Sequence, residues 1–297
     1  LTVIVVRDAR MLDAYTYTIG LLGLVLLLLP VVPGIGQTIN GARLWVQIGP
    51  LGFQPAEIGK VLVVIFLASY LTQKRELLQV ATSRIGPLRL PPAKHLGPVL
   101  LAWGASLAIL FLQRDLGASL LYFGIFVVML WVATGRAAYL VIGLILFVAG
   151  AYIGWLLFDH VQLRVDIWLH ALDPAKVFDQ GFGQLAQAQF GMASGGLVGT
   201  GLGQGSPGLI PFASTDFIFA AIGEELGLLG STAILLLYLV LVGEGLRVRL
   251  RAPAAFSTLL AVGLSTLVAL QAFVIVGGVT RIIPLTGVTL PFVSYGG

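Results

Sequence analysis

Seven long runs of apolar residues constrain the fold of this chain more than any other feature. They cover residues 14–32, 58–71, 96–112, 116–133, 137–157, 217–242 and 256–277. Most approach the ~20 residues that a helix needs to cross a bilayer. Only helices and closed barrels satisfy their backbone groups in lipid, and uninterrupted apolar runs lack the alternation typical of a barrel. The sequence therefore predicts an all-α, polytopic transmembrane helix bundle.

The composition agrees with a membrane protein and excludes several functions. Hydrophobic residues make up 58% of the 297 residues and charged residues only 10%, too little polar surface for a water-soluble globule. The net charge of +4 does not indicate nucleic-acid binding, because the basic residues lie in short loops rather than in one patch. The chain has no cysteine, which excludes disulfides and thiolate chemistry. The three histidines lack the spacing of a zinc motif.

The basic residues predict how the chain is oriented. Alternate threading of the spans places most of them on one side, which the positive-inside rule assigns to the cytoplasm. This set is Arg7, Arg10, Lys74, Arg75, Arg84, Arg89, Lys94, Arg136, Arg247, Arg249 and Arg251. The outer set is Arg43, Arg114, Arg164, Lys176 and Arg281. We therefore predict one integral-membrane domain, residues 1–297, with an extracytoplasmic loop at 158–215 whose length indicates the active-site side.

Polar residues stand at the start of the second span, which is short unless residues 51–57 join it. Gln54, Glu57 and Lys60 are three residues apart, so Glu57 and Lys60 are helical neighbours able to form an ion pair. A structural pair and a contact with an anionic substrate are equally good interpretations. Arg43, on the predicted outer face, has the forked donors that suit a phosphate, or it anchors the chain at the interface.

Asp216 lies between the long loop and the sixth span, next to Phe217. Partial desolvation would raise the pKa of its carboxyl group and suit it to accept a proton. From position alone, helix capping is the better interpretation, because Asp is favoured where a helix begins. Glu224 and Glu225 follow inside the span, where their side chains diverge by about 100°, so at most one faces a given neighbour. Structural hydrogen bonding suits them better than catalysis.

The loop contains a glycine-rich segment at 195–208. It includes a literal G-x-G-x-x-G at 203–208, but no strand precedes it and Pro207 interrupts it, which excludes a dinucleotide site. A flexible or tightly turning segment that lets the backbone approach a ligand or a helix is the better interpretation. Gly223 and Gly227 form a small-xxx-small pair, which also allows a neighbouring helix to approach closely.

Several stretches, in order along the chain, resemble the motifs of the FtsW/RodA/SpoVE (SEDS) family. They are NGARLW at 40–45, QPAEIGK at 54–60, QRDLG at 113–117, GGLVGTGLG at 195–203, TDFIFAAIGEELG at 215–227, PLTG at 284–287 and PFVSYGG at 291–297. The sequence departs from the family pattern at Arg114, where proline is usual, at Ile275, where many members have asparagine, and at Arg281, where glycine is usual.

The resemblance implies a ten-helix protein of the bacterial cytoplasmic membrane, of which this chain is expected to be a fragment with about seven spans. It implies polymerisation of lipid II, an undecaprenyl-pyrophosphoryl disaccharide-peptide, into glycan strands at the outer leaflet. Asp216 would then be the catalytic base rather than a helix cap. The substrate-binding candidates are Arg43, Lys60, Gln54, Thr215 and Ser294. The structural polar residues are Glu57, Asp115, Glu224 and Glu225.

The resemblance also implies partners. These are lipid II, membrane lipids and a class B penicillin-binding transpeptidase, with no nucleic acid. The one cofactor compatible with this reaction is a divalent metal ion, Mg or Mn, bridging the pyrophosphate, and its ligands are unassigned. The division, elongation and sporulation subgroups stay open, with elongation favoured. Two other functions are retained, a flippase or transporter of the lipid-linked precursor and a noncatalytic scaffold of the cell-wall machinery.

Overall fold

A computed structural model describes residues 10–39, 42–48, 51–75, 83–85, 88–90, 93–113, 115–177, 179, 181–251 and 254–295. Ten α-helices lie in these ranges: α1 Arg10–Ala14, α2 Thr16–Leu28, α3 Pro55–Gln73, α4 Ala93–Leu112, α5 Leu116–Thr134, α6 Ala138–Leu157, α7 Asp159–His170, α8 Phe182–Gly195, α9 Ile218–Arg251 and α10 Ala255–Val279. Two short 3₁₀ helices are Leu29–Val31 and Pro207–Leu209. The all-α prediction is confirmed.

The predicted spans correspond to helices throughout. Within the described residues, five helices are long and apolar enough to cross a membrane: α3, α5, α6, α9 over Ile218–Val248, and α10. The first predicted span is the shorter apolar helix Thr16–Val31, and the third is α4. The sixth continues to Arg251, beyond its predicted end at residue 242.

Short strands follow α2 and α3, and the sequence analysis did not predict them. Strands β1 Gly36–Ile39, β2 Ala42–Ile48 and β3 Leu51–Phe53 form an antiparallel sheet in that order. Strands β4 Ser83–Ile85 and β5 Leu88–Leu90 form a hairpin. The second predicted span is lengthened only in part by residues 51–57. Strand β3 pairs with β2, whereas residues 55–57 join α3, which begins at Pro55, a residue suited to the first helical turn.

The chain divides into two compact units. Unit 1 is Leu1–Leu144 with Gly243–Leu267, and unit 2 is Ile145–Val242 with Val268–Gly297. In unit 1, α3 is buried along most of its length and packs closely on its neighbours. A Cβ atom at Gly59 would lie 2.8 Å from Tyr122 Oη of α5 and 3.2 Å from Leu27 Cδ2 of α2. The absence of a side chain at Gly59 thus allows α2 and α5 to pack closely on α3.

Unit 2 contains the predicted outer loop, residues 158–215, whose described part holds α7, α8 and the 3₁₀ helix Pro207–Leu209. The hydrophobic core of unit 2 lies between the end of α7, one face of α8, the start of α9 and the end of α10. The buried members are Ala171, Leu185, Ala188, Ile210, Phe217, Phe219, Ala220 and Val279. The loop is therefore a packed part of unit 2, which gives the residues before α9 fixed neighbours.

The glycine-rich segment packs its backbone against a break in α9. Gly227 has φ 66° and ψ −164°, which interrupts the helix. The amides of Thr200 and Gly201 each donate a 3.0 Å hydrogen bond, to the carbonyls of Glu224 and Glu225. In return, Leu228 N donates to Gly196 O at 2.9 Å, and Leu229 N donates to Leu197 O at 3.1 Å. The prediction of a tightly turning segment that approaches a helix is confirmed.

Two glycines of this segment separate the effect of backbone conformation from that of close packing. Gly199 has φ +84°, and a Cβ there would lie 2.1 Å from Glu225 O, whereas Gly203 has φ +70° and open space around it. We expect Gly203→Ala to cost about 1–2 kcal/mol for the left-handed backbone. We expect Gly199→Ala to cost a further 1–3 kcal/mol or so for the overlap. Thermal unfolding of the complete protein in detergent measures both. Equal losses would show that the close approach is absent.

Candidate active site

Asp216 lies in a turn that leads directly into α9. Phe212 begins the turn with a left-handed φ of 57°. Its carbonyl accepts hydrogen bonds from Thr215 N at 3.0 Å, Phe217 N at 3.2 Å and Thr215 Oγ1 at 3.2 Å. Phe217 is buried in the core of unit 2, with 1% of its surface exposed, so the residue before it is fixed against that core. Asp216 is therefore half-buried at a position where the backbone is closely defined.

The C-terminal segment of the chain holds the same turn from a second side. Ser294 is buried, and its hydroxyl donates to Thr215 O at 2.8 Å while accepting from Leu290 N at 2.8 Å. Tyr295 N donates to Ser214 O at 2.8 Å. These bonds fasten the two carbonyls that precede Asp216. The geometry thus gives Ser294 a part in positioning Asp216, and its predicted contact with substrate stays a prediction.

Arg164 of α7 supplies a positive charge beside Asp216. Its Nη1 donates to Leu285 O at 3.0 Å, which ties α7 to the segment after α10. A Cβ atom at Gly287 would lie 3.6 Å from Asp216 Oδ2 and 4.0 Å from Arg164 Nη2. Gly287 therefore lies within van der Waals reach of both groups, and its φ of +74° is a backbone conformation that residues with a side chain rarely adopt.

The pKa of Asp216 is raised above its ordinary value of 3.8. Burial is the largest cause, because it disfavours the charged carboxylate. The positive charge of Arg164 and a hydrogen bond with the Thr215 side chain lower the pKa and offset part of that rise. A carboxyl group balanced in this way can take up a proton more readily than an exposed aspartate can.

Helix capping does not account for Asp216. Within the described turn and first helical turn, residues 211–221, its carboxylate makes no hydrogen bond to an amide of α9. Asp115 does cap a helix, since its Oδ1 accepts from Ala118 N at 2.9 Å at the start of α5. This bond agrees with the structural role predicted for Asp115. The Asp216 carboxylate, in contrast, is not used to cap α9.

Glu224 and Glu225 point in different directions, as expected for adjacent helical residues. Glu224 is buried, and its Oε1 accepts from Ser206 N at 2.8 Å, which anchors the loop to α9. Glu225 lines a groove of about 690 Å³ beside the loop. The other lining residues are Leu202, Pro207, Gly208, Ile210, Phe212, Ala213, Ser214, Ile218, Ala221, Ile222 and Leu226. The groove is largely apolar and reaches the turn that carries Asp216.

The remaining predicted site residues lie in unit 1. Lys60 Nζ contacts Glu57 Oε1 at 2.7 Å, and the predicted ion pair is present, with the lysine 2% and the carboxylate 33% exposed. Gln54 occupies the N-cap position of α3 and is half-buried. Arg43 belongs to β2, opposite Thr38, and its side chain lies outside the described residues, as does all of Arg114.

The residues around Asp216 do not by themselves form a metal site. In the described part of the chain, no group of three or more histidine, aspartate or glutamate side chains gathers to hold an ion. Beside Asp216 the nearby charged partner is the guanidinium of Arg164, a cation. This donor set does not fit a resident divalent metal held by protein ligands.

Arg164 and Gly287 are the site residues that the sequence analysis missed. Arg164 was placed in the outer set of basic residues, which was the only sign of its position. It lies 52 positions before Asp216, on a helix that was expected to be loop. Gly287 was quoted within the PLTG motif but was given no role.

Comparisons with known proteins agree with the motif resemblance. The whole chain, residues 1–297, matches the FtsW/RodA/SpoVE family, described as cell cycle proteins. It is 46% identical over 298 residues to the peptidoglycan glycosyltransferase RodA of Mycobacterium tuberculosis, covering 100% of this chain but only 63% of that protein. It is 37% identical over 275 residues to stage V sporulation protein E of Bacillus subtilis, covering 92% of this chain and 71% of that protein.

A solved structure gives the same result for the fold. It is described as "Structural coordination of polymerization and crosslinking by a peptidoglycan synthase complex". The two chains share a TM-score of 0.74 and 30% identity, over 97% of this chain and 76% of that one. The fold of this chain is thus similar to one that has already been solved.

The charge of Arg164 predicts a change in how Asp216 titrates. Arg164→Gln removes a cation that lowers the pKa, so we expect the pKa of Asp216 to rise further. Infrared titration of the protonated carboxyl band, assigned with Asp216→Asn, measures the change. Lys176→Gln is the matched control, because it removes a positive charge from the exposed pair with Asp166 in the same unit. An equal shift in both variants would contradict a direct effect of Arg164.

The ion pair of α3 predicts that replacing Glu57 and replacing Lys60 lower the stability by different amounts. Glu57→Gln leaves the buried charge of Lys60 without that carboxylate, and we expect a loss of about 3–5 kcal/mol. Lys60→Met should cost less, because Glu57 is one-third exposed and the methionine fills the lysine's volume. Thermal unfolding of both variants and of the double variant tests this order. A larger loss in Lys60→Met would overturn it.

Proposed function

This chain belongs to the FtsW/RodA/SpoVE family, and we propose that it carries the catalytic centre of a peptidoglycan glycosyltransferase that polymerises lipid II. It is a multi-pass protein of the bacterial cytoplasmic membrane. The observation that carries the proposal is the half-buried carboxyl group of Asp216, which lies in a turn held from two sides and is acted on by the positive charge of Arg164. The names of its RodA relatives support the same activity.

In the proposed reaction, Asp216 is the general base. The hydroxyl oxygen of the acceptor sugar forms a bond to the anomeric carbon of the donor, and its proton passes to the Asp216 carboxylate. The bond between that carbon and the pyrophosphate oxygen breaks, and the electron pair leaves with the lipid pyrophosphate. Attack opposite the leaving group inverts the anomeric configuration. The raised pKa of Asp216 favours the proton transfer.

Negative charge that develops on the leaving pyrophosphate needs a cation nearby. Among the described residues of unit 2, Arg164 is the cation whose charge acts on Asp216. Its hydrogen bond to Leu285 O fixes its position. We assign this role to Arg164. Arg43, Lys60, Gln54 and Thr215 stay predicted substrate contacts. A divalent ion also stays a prediction; it would supply positive charge to the pyrophosphate, and no step above depends on it.

The groove beside the loop suits the apolar part of such a substrate. Its lining is apolar apart from Glu225 and the short polar residue Ser214, and it begins two residues from Asp216. A polyprenyl chain that lies there would bury apolar surface while its head group reaches the base. The groove thus connects the proposed chemistry with a lipid-linked substrate.

The comparisons also support a partner and a subgroup. The structural relative is described as a peptidoglycan synthase complex that coordinates polymerisation and crosslinking. We therefore propose that this protein works with a class B penicillin-binding transpeptidase. The identity of 46% with a RodA protein, against 37% with stage V sporulation protein E, supports the elongation type.

Glycan-strand formation from purified lipid II tests the proposed function. The complete protein is reconstituted in vesicles with its transpeptidase partner, and wild type is compared with Asp216→Asn. Asn keeps the shape of the side chain but cannot accept the proton, so we expect the polymerisation rate to fall at least about a hundredfold, the typical contribution of a general base. Asp115→Asn, at the cap of α5, is the matched carboxyl control and should retain activity if it folds.

The other outcomes of this assay support different functions. Polymer from both wild type and Asp216→Asn would keep the enzyme and remove Asp216 as its base. No polymer from either, with an active partner, would favour the flippase or scaffold alternatives. Precursor movement across the vesicle membrane would then separate these two.

A further inference from the structure

Arg281 joins the end of α7 to the segment that follows α10. Its guanidinium donates to Trp168 O from Nε at 3.2 Å and from Nη2 at 3.0 Å, and to Leu169 O from Nη2 at 3.3 Å. The indole Nε1 of Trp168 donates back to Arg281 O at 2.9 Å. We call these four bonds the α7 latch.

The α7 latch provides hydrogen-bond partners for carbonyl groups at the end of α7. Helix α7 ends at His170, so the carbonyls of Trp168 and Leu169 belong to its last turn and lack partners within the helix. These carbonyls carry the negative end of the helix dipole, which a guanidinium stabilises. Arg281 keeps this contact although its backbone has φ 62°, a left-handed conformation that costs about 1–2 kcal/mol in a residue with a Cβ.

The latch lies on the same side of α7 as Arg164. Arg164 and Trp168 are four residues apart, one helical turn, and both bond to carbonyls of the segment after α10, Leu285 O and Arg281 O. The position of Arg164 beside Asp216 therefore depends on how α7 is held against that segment. Arg281 contributes three of the bonds that hold it.

We propose that Arg281 is a positioning residue for glycosyl transfer: by closing the last turn of α7 it holds the Arg164 guanidinium beside the Asp216 carboxylate. The inference rests on the proposed function, because it takes Asp216 as the base. Arg281 itself touches backbone carbonyls and acts on the reaction through Arg164.

The groups that face Asp216 are few, which makes its titration a clear readout. Arg164 on α7 is the charged group that acts on it. Residues 282–295 contribute one ionisable side chain, the exposed phenol of Tyr295, and residues 196–215 contribute none. The first turns of α9 contribute Glu224, which bonds to Ser206 N, and Glu225 in the groove.

The test measures the polymerisation rate against pH for Arg281→Gly, Arg281→Asn and Arg281→Lys in the complete protein with its partner. Gly and Asn both accept the left-handed backbone, so they remove the guanidinium without adding strain. We expect the maximal rate to fall on the order of ten- to a hundredfold, as when catalytic groups are misplaced. The acidic limb should move to higher pH, because Asp216 loses part of the charge that lowers its pKa. Arg281→Lys should lie between these variants and wild type.

Controls separate the alternatives. Arg247→Ala removes an exposed arginine paired with Glu244 and should leave both rate and limb unchanged. A rate loss without a shift of the acidic limb would show a merely structural role and overturn the inference, as would wild-type kinetics in both Arg281→Gly and Arg281→Asn. Asp216→Asn is assayed alongside, and if it stays active the proposed base fails whatever the Arg281 variants do.

Discussion

Every backbone amide and carbonyl within a membrane needs a partner inside the protein, and the break in α9 is where this constraint shapes unit 2. In an unbroken helix, Leu228 N and Leu229 N would bond to the carbonyls of Glu224 and Glu225. Here those two amides bond to Gly196 O and Leu197 O, while the two carbonyls receive Thr200 N and Gly201 N. Two helical bonds are exchanged for four bonds to the loop. The break thus binds the loop to the helix, and the two amides and two carbonyls that lose their helical bonds all keep a partner.

The turn that carries Asp216 depends on this attachment for its position. The loop that is fastened at residues 196–201 returns at 212–217, where Phe217 enters the core and Asp216 precedes it. The C-terminal segment then fixes the carbonyls of Ser214 and Thr215. Most of these contacts involve backbone atoms, so they define a place for the carboxylate whatever the nearby side chains are. Burial and Arg164 then set its affinity for a proton in opposite directions.

The sequence predicted the parts of this structure that follow from periodicity and from local spacing. Apolar runs located the spans because hydrocarbon selects for length and composition. The three-residue spacing of Glu57 and Lys60 was enough to predict their ion pair. The glycines at 195–203 predicted a close backbone approach, although not which carbonyls it would meet.

The features that were missed depend on contacts between distant residues. The sheet at 36–53 is made of very short strands, whose pattern does not stand out beside apolar spans. Arg164 reaches Asp216 only through packing of α7 against the segment after α10, and α7 itself was expected to be loop. Capping was the better interpretation of Asp216 from position alone, because local pattern carries no information about the charge that faces it. The family motifs favour a catalytic role for Asp216 instead, which stays a proposal, and the structure adds Arg164 as the charge that acts on it.

The pH dependence of the initial polymerisation rate of the wild-type protein tests the central claim most directly. Vesicles with lipid II and the transpeptidase partner are assayed across the acidic range, beside the infrared titration of Asp216 in the same preparation. We predict one acidic limb that coincides with the titration of Asp216 and lies above the ordinary pKa of 3.8 for an aspartate. A rate that stays constant while Asp216 becomes protonated would contradict it.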